Sequence, residues 1–286
     1  MALRQPDFTQ LLKVLRREAP DRPTLFEFFL NRPLLAWACG ETAPPGDADF
    51  EARLLVRGFH AFGYDYVTLS GQGFTFPAGD AHRESTRSLN EGAMITDRAS
   101  FARYPWPRVE DADYHRYALA EEWLPKGMKI IAHGPGGVLE NLIQLTGYDN
   151  LCFMLADDPG LVADIVAAVG ERLVRHYQIL GGFRAIGAMI SNDDWGFKTQ
   201  VMLAPEQMRE YIIPWHKEIC AAIHASGRPA ILHSCGNLAT VMDDIIDTIG
   251  YVAKHSYEDN IQPVEEAYEL YGRRIAILGG LDLDFV

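Results

Sequence analysis

The stretch Ala230-Ile231-Leu232-His233-Ser234-Cys235-Gly236 joins a short apolar run to a polar end. An apolar run of this length, followed by a glycine turn, is typical of a buried strand. In an α/β barrel, the residues that do chemistry follow the carboxyl ends of such strands. Similar apolar runs recur along the chain, and polar residues end nearly every one of them. This pattern predicts a barrel with an active site at the strand ends.

Seven apolar runs alternate with helical patterns, which predicts a parallel sheet covered by helices. The predicted strands are residues 24–30, 66–70, 128–133, 185–190, 230–233, 251–255 and 275–280. A doubly wound open sheet usually carries its ligand on a glycine-rich first turn. Here Asn31-Arg32-Pro33 follows the first run, without Gly-x-Gly-x-x-Gly. We therefore predict a (β/α)8 TIM barrel, and a single domain over residues 1–286 because no linker divides the chain.

The helical patterns between these strands are interrupted at two prolines. Asp158 is placed to cap a new helix that begins at Pro159, and Pro214 is expected to kink the helix that contains it. The predicted helices are residues 50–62, 111–125, 138–146, 150–181, 204–226, 238–249 and 264–271.

A closed barrel needs an eighth strand, and the seventh predicted strand ends just before Val286. Without it, the first and seventh strands would leave open edges. We expect the last β/α unit to be missing from this chain by truncation. The alternatives are that an N-terminal segment or a partner protein covers the gap.

The composition limits the class of partner. The 26 basic and 39 acidic residues give a formal charge of −13, which argues against nucleic-acid binding. The four cysteines are irregularly spaced, so no disulfide framework is expected. No signal peptide or membrane-length apolar segment is present. We expect a cytoplasmic protein that acts on a small molecule; association with copies of itself is left open.

His233 and Cys235 are the strongest candidates for metal ligands. Residues i and i+2 of a strand face the same side, so both side chains can meet one ion. Imidazole and thiolate together suit Zn²⁺. Glu258, after the sixth strand, is a candidate third ligand. The alternative is a buried histidine beside a structural cysteine.

Two further strand ends carry candidate catalytic groups. Asp193 and Asp194 follow the fourth strand, where one carboxylate could bind a metal or act as a general acid; we prefer Asp194. The alternative is helix capping. His133 ends the third strand, and Gly136 after it allows a ligand or an anion to approach the next helix. A simple turn explains these glycines equally well.

The remaining candidates would bind substrate. Lys254 and His255 end the sixth strand, and alternation lets only one of them point inward. Asp282 follows the seventh strand. For these three residues, solvated loop charge is the alternative. Glu27 is a charge among aromatics in the first predicted strand, either inward-facing and functional or paired and structural.

An ordered series of motifs resembles the uroporphyrinogen decarboxylase superfamily. The series is Gly134-Pro135-Gly136-Gly137-Val138-Leu139-Glu140-Asn141, Asp193-Asp194-Trp195-Gly196, Pro205, Pro214, His233-Ser234-Cys235-Gly236 and Gly279-Gly280-Leu281-Asp282. The resemblance extends from about Arg22 to the end of the chain and implies a (β/α) barrel.

The resemblance implies one of two activities. The decarboxylase branch uses no metal and binds substrate carboxylates with an Arg-Gln-Ala-Gly-Arg-Tyr run after the first strand. Here that position holds Glu27 and only Arg32 as a basic residue, which tells against this activity. The other branch contains zinc-dependent methyltransferases that work with corrinoid proteins or thiols. In that branch, H-x-C-G supplies two zinc ligands, and a later cysteine, here beyond Val286, supplies another.

We therefore predict methyl transfer between a small substrate or thiol and a corrinoid protein, at a zinc site formed by His233 and Cys235. The alternatives are a metal-independent carboxy-lyase and a binding barrel without catalysis.

Overall fold

Six parallel strands form one sheet, and their order in the sheet follows their order in the chain. The structure is a computed structural model that describes residues 4–40, 48–79 and 88–280. The strands are β1 (Tyr66–Ser70), β2 (Lys129–His133), β3 (Ile186–Asn192), β4 (Ala230–His233), β5 (Ala253–His255) and β6 (Ala276–Ile277). A doubly wound sheet reverses its strand order at a switch point. This sheet does not, and its sequential parallel order is that of a (β/α) barrel, open between β6 and β1 within the described ranges.

Helices alternate with the strands and supply the outer layer. The α-helices are α1 (Phe8–Leu15), α2 (Arg32–Cys39), α3 (Ala48–Ala61), α4 (Arg98–Arg103), α5 (His115–Trp123), α6 (Val138–Thr146), α7 (Tyr148–Asp157), α8 (Pro159–Leu180), α9 (Pro205–Gln207), α10 (Ile213–Ala225) and α11 (Val264–Tyr271). Short 3-10 segments cover Val109–Asp111 and Ala239–Val241, and π-helical segments cover Met208–Ile212 and Asp244–Ile249. The strands between these helices are almost wholly buried.

The helix break predicted at Asp158 and Pro159 is present, and the regular α-helical pattern also changes next to Pro214. The Asp158 carboxylate accepts the Leu161 N–H at 3.0 Å and caps α8, which begins at Pro159. Pro214 lies in the first turn of α10, immediately after the π-helical segment Met208–Ile212. Proline has no N–H to donate to the preceding turn, so the regular α-helical pattern breaks there.

The predicted first strand is wrong. Residues 24–30 form no strand, and side chains of β1 bind their backbone groups instead. The Thr68 hydroxyl donates to the Phe28 carbonyl at 2.8 Å, and the Tyr66 hydroxyl binds the Glu27 carbonyl at the same distance. Because these side chains take the place of a strand partner, the segment stays irregular. Phe28 is nevertheless buried, with 2% of its surface exposed.

The register of the sheet brings three strand ends together. Asn192 at the end of β3 pairs with His233 at the end of β4, which pairs with His255 at the end of β5. Residues that immediately follow β3 and β4 therefore meet at one edge of the sheet. No helix in the described part of the chain is long and apolar enough to cross a membrane.

Candidate metal centre

Asp194, His233 and Cys235 each direct one potential ligand atom into a common space. These three atoms all lie within 4.8 Å of one another, and each residue is half-buried. The paired ends of β3 and β4 bring the residues together, since Asp194 follows β3 and Cys235 follows β4. Within the described ranges, no other group of three histidine, cysteine or acidic residues meets this distance.

Backbone hydrogen bonds extend the strand pairing into the loops and hold the three residues in place. The Asp193 N–H donates to the His233 carbonyl at 2.9 Å. The Cys235 N–H donates to Asp194 Oδ1 at 2.8 Å. The Ser234 N–H donates to the His255 carbonyl at 2.7 Å. Two backbone pairs and one bond to the Asp194 carboxylate therefore hold these loops together.

Gly236 allows the loop after Cys235 to pass directly against the loop after β3. Its φ of +86° lies in the left-handed region that favours glycine. A Cβ atom at Gly236 would lie only 2.1 Å from the Gly196 carbonyl oxygen. This close approach brings Cys235 within reach of Asp194.

His255 positions the imidazole of His233. The two Nδ1 atoms are 2.7 Å apart, so one carries a proton and the other accepts it. Burial lowers the pKa of His255 to about 3 and also lowers the pKa of His233, which keeps both rings neutral at pH 7. His233 Nε2 then lies 3.8 Å from Asp194 Oδ1 and 3.8 Å from Cys235 Sγ.

The donor set fits a zinc ion. Imidazole, thiol and carboxylate are the three ligand types that Zn²⁺ takes in proteins. Burial, with a contribution from the Asp194 carboxylate, raises the pKa of the Cys235 thiol to about 12. A thiol in this environment ionises at neutral pH only with a cation beside it, and a bound metal supplies that charge.

Asp193, predicted as a catalytic candidate, is instead enclosed by donors. It is 0% exposed. Its carboxylate accepts four hydrogen bonds, from Leu139 N, Glu140 N, Trp195 Nε1 and His216 Nε2, at 2.8 to 2.9 Å. Two of these donors are backbone groups at the beginning of α6. Asp193 therefore occupies the N-terminus of α6, where the sequence allowed a ligand or an anion to bind.

Gly136 and Gly137 turn the chain into α6 and have packing roles. A Cβ at Gly137 would lie 2.1 Å from the Asp193 side chain. Gly136 has a φ of +91°, and a Cβ there would approach Asn141 and Glu140 at 3.1 and 3.2 Å. These glycines let α6 approach Asp193 closely.

Glu140 is a functional candidate that sequence reasoning missed. Its pKa is raised to about 8 by burial and by the neighbouring Asp193 and Asp194 carboxylates. With Asp194, it lines a cavity of about 260 Å³ next to the metal-ligand group. The available signal was its place three residues after Gly137, where its carboxylate accepts the Gly137 N–H at 3.1 Å.

His133, the third catalytic candidate, lies apart from the ligand group. The Phe28 ring packs against both histidines, with its centroid 5.0 Å from that of His133 and 4.9 Å from that of His233. Burial lowers the pKa of His133 to about 4. Its Nδ1 donates to the Gly134 carbonyl at 3.3 Å.

Glu27 and Arg32 are engaged elsewhere in the described structure. The Glu27 carboxylate accepts a hydrogen bond from the backbone N–H of Phe28 at 2.8 Å. Arg32 begins α2 and forms an exposed ion pair with Glu51 at 3.0 Å. Asp282 lies outside the described residues.

Lys254 and Glu258 line a second cavity, beside the ligand group. It measures about 160 Å³ and includes Gly236 and Ser256 in its wall. Glu258 is not within the distances that define the group of three, so Asp194 takes the place that the sequence assigned to it. Glu258 lies in the loop beyond β5 and shares this cavity wall with Gly236 and Asn237, which follow β4. His255 contacts His233, whereas Lys254 lines this cavity.

Comparison with known proteins identifies the family. The family model for uroporphyrinogen decarboxylase (URO-D) matches residues 120–286, more than half of the chain. The chain belongs to the URO-D family. The match includes β2 to β6 and all three residues of the ligand group, and the (β/α) barrel architecture agrees with it. No curated protein matches the sequence.

A solved structure shares the fold of this URO-D family member. It is a methyltransferase from Methanosarcina mazei, with a TM-score of 0.67 and 15% sequence identity. The alignment covers 94% of this chain and 81% of that chain. At this identity the likeness concerns the fold alone.

Proposed function

We propose that this URO-D family protein is a zinc-dependent methyltransferase that moves a methyl group between a small substrate or thiol and a corrinoid protein. The single observation that supports this most strongly is the convergence of Asp194, His233 and Cys235 within 4.8 Å. The methyltransferase identity of the structural neighbour agrees with this proposal.

A zinc ion held by these three residues would keep a thiol ionised at neutral pH and leave a coordination position for it. Asp194, His233 and Cys235 would bind the ion. His255 orients the imidazole: when His233 Nδ1–H donates to His255, the lone pair of His233 Nε2 faces Asp194 and Cys235. This is the tautomer that binds a metal.

The chain's other residues prepare the site. Asp193 fixes the loop after β3 through its four hydrogen bonds, which holds Asp194 in place. Glu140, with its pKa of about 8, is largely protonated at pH 7 and lines the cavity next to Asp194. It can donate a proton to an oxygen or nitrogen leaving group there. A corrinoid protein would deliver or accept the methyl group at the carboxyl ends of the strands.

A metal-independent carboxy-lyase is the competing activity within the URO-D family. A substrate rich in carboxylates needs arginine partners. Neither described cavity has an arginine in its wall, and the cavity beside Asp194 contains Glu91, Glu140 and Asp194. The Glu91 and Asp194 side chains of this wall disfavour a polycarboxylate substrate, and so favour methyl transfer.

The test is an assay of methyl transfer from methylcobalamin to a panel of small thiols. The change in corrinoid absorbance and mass spectrometry of the thioether product measure the reaction. We expect zinc-dependent turnover that falls at least about a hundredfold in Cys235→Ser and His233→Gln, because each variant removes a ligand. Cys152→Ser, which changes an exposed cysteine outside the site, is the matched control. Thiol methylation that persists undiminished in a chelator and in Cys235→Ser would contradict the proposal, as would carbon dioxide release from porphyrinogens without metal.

A further inference from the structure

The cavity beside β5 contains a buried cation without a carboxylate partner. Lys254 is 3% exposed, and its ammonium lies 4.0 Å from the centroid of the Tyr257 ring. It donates one hydrogen bond to the Ser256 carbonyl. Within the described ranges, no carboxylate oxygen lies within 4.0 Å of it. Burial lowers the pKa of Lys254 to about 8, so the amine is still largely protonated at pH 7.

The wall of the same cavity also contains a buried hydroxyl that has no hydrogen-bond partner among the described residues. The Tyr257 hydroxyl is buried and has no hydrogen-bond partner in the described structure. A buried hydroxyl without a partner costs about 1–3 kcal/mol, so such groups usually mark a water or ligand position. Lys254 and Tyr257 together offer an ammonium and a hydroxyl to one acceptor group.

Carboxylates line the other part of this wall. Glu258 is half-buried, and Glu266 stands at the exposed rim on α11. A simple anion would be attracted by Lys254 and repelled by both glutamates. A simple cation would be repelled by Lys254. A molecule that carries both charges can place its negative group near Lys254 and its positive group near the two glutamates.

The cavity's size limits such a ligand. Its volume of about 160 Å³ corresponds to the liquid volume of about five water molecules, at about 30 Å³ each. That space admits a molecule of the size of a small amino acid.

We infer that the cavity lined by Lys254, Tyr257 and Glu258 is a binding site for a small zwitterion of the α-amino-acid class. Its carboxylate accepts from Lys254 and Tyr257, and its ammonium faces Glu258 and Glu266. None of these four residues belongs to the metal-ligand group. The inference therefore stands independently of methyl transfer.

Calorimetric titration tests this with three matched probes: L-2-aminobutyrate, butyrate without the ammonium, and propylamine without the carboxylate. We expect saturable binding of L-2-aminobutyrate, and binding at least about tenfold weaker for each of the other two. The titrations are repeated on Cys235→Ser with chelator present. Unchanged binding there separates this site from the zinc proposal.

Three variants locate the site. Lys254→Met is expected to weaken L-2-aminobutyrate binding by about tenfold or more, and Tyr257→Phe severalfold, because each removes a donor to the carboxylate. Glu258→Gln is expected to weaken L-2-aminobutyrate and to strengthen butyrate, because it removes a negative charge. Tyr268→Phe is the control, since Tyr268 is 66% exposed and outside the cavity wall.

Three results would overturn the inference. They are butyrate binding as tightly as L-2-aminobutyrate, the absence of saturable binding by any probe, and equal binding by wild type and the variants. If Lys254→Met fails to fold, Tyr257→Phe and Glu258→Gln decide the question, because both retain the buried ammonium.

Discussion

His255 Nδ1 lies 2.7 Å from His233 Nδ1, and this contact determines which nitrogen of His233 is free to bind a metal. If His233 donates the shared proton, its Nε2 lone pair faces Asp194 Oδ1 and Cys235 Sγ, each 3.8 Å away. A histidine that ligates a metal almost always donates its other ring N–H to such an acceptor. His255 is thus a positioning residue, and the site extends beyond its three ligands.

The first prediction concerns this acceptor. His255→Leu is expected to weaken zinc binding by about tenfold to a hundredfold, because it removes the acceptor that fixes the His233 tautomer. His255→Asn keeps an acceptor atom near the Nδ1 position and is expected to retain most of the affinity. Competition with a chromophoric chelator measures both constants. Equal affinities for His255→Leu and wild type would show that His255 has no positioning role.

The second prediction separates two adjacent carboxylates. Asp193→Asn is expected to lower the free energy of unfolding by about 3 kcal/mol or more, because an amide offers one acceptor oxygen where the carboxylate offers two, and buried donors lose their partner. Asp194→Asn, at a half-exposed position, is expected to cost about 1 kcal/mol but to remove zinc binding. Urea unfolding and zinc titration measure the two effects. A reversed order of effects would contradict the assigned roles.

The third prediction compares two glycines in the same backbone conformation. Gly236 and Gly250 have φ values of +86° and +89°. A Cβ at Gly250 would meet nothing within 4 Å, whereas one at Gly236 would collide with the Gly196 carbonyl. Gly250→Ala is therefore expected to cost about 1–2 kcal/mol from its left-handed backbone. Gly236→Ala should cost clearly more and should also weaken zinc binding, because it separates Cys235 from Asp194. Similar losses for both variants would exclude the close approach.

The fourth prediction is a pH dependence of stability from His176. This histidine is buried, its Nε2 has no partner in the described structure, and burial lowers its pKa from 6.5 to about 3. As pH falls below 6.5, the unfolded chain binds a proton that the folded protein does not. The free energy of unfolding therefore decreases as pH falls, and His176 contributes up to about 1.4 kcal/mol per pH unit to this decrease.

His176→Gln tests this assignment and keeps a hydrogen-bonding group for the Tyr114 hydroxyl, which lies 2.9 Å from His176 Nδ1. Urea unfolding between pH 4 and pH 6.5 should show a slope smaller by about 1.4 kcal/mol per pH unit in this variant. An unchanged slope would place the dependence on other groups.

Much of this architecture follows from periodicity. The strands that end at His133, Asn192 and His233 are short apolar runs buried on both faces. Such runs can be recognised from the local sequence alone, without knowledge of tertiary contacts. The same reasoning is wrong for residues 24–30. Their apolar, aromatic composition suits a strand, but Tyr66 and Thr68 bind the backbone where a strand partner would. That choice depends on tertiary contacts, which periodicity does not report.

The site was predictable in part for a similar reason. The spacing of His233 and Cys235 places both on one side of a strand, which local geometry explains. Asp194, rather than Glu258, lies next to His233 and Cys235. This placement depends on the hydrogen bond from the Cys235 N–H to Asp194, which is 41 residues away in the chain. The raised pKa of Glu140 arises from its burial and from Asp193 and Asp194, which lie more than fifty residues further along the chain. Such long-range pairs have no local signature.

Metal analysis of the purified protein tests the central claim most directly. After reconstitution with zinc and removal of free ion, inductively coupled plasma mass spectrometry should find a single zinc ion bound per chain of wild type. Cys235→Ser and His233→Gln should bind none, while Cys152→Ser should match wild type. Zinc-free wild-type protein, or equal zinc in Cys235→Ser and wild type, would contradict a metal centre formed by Asp194, His233 and Cys235.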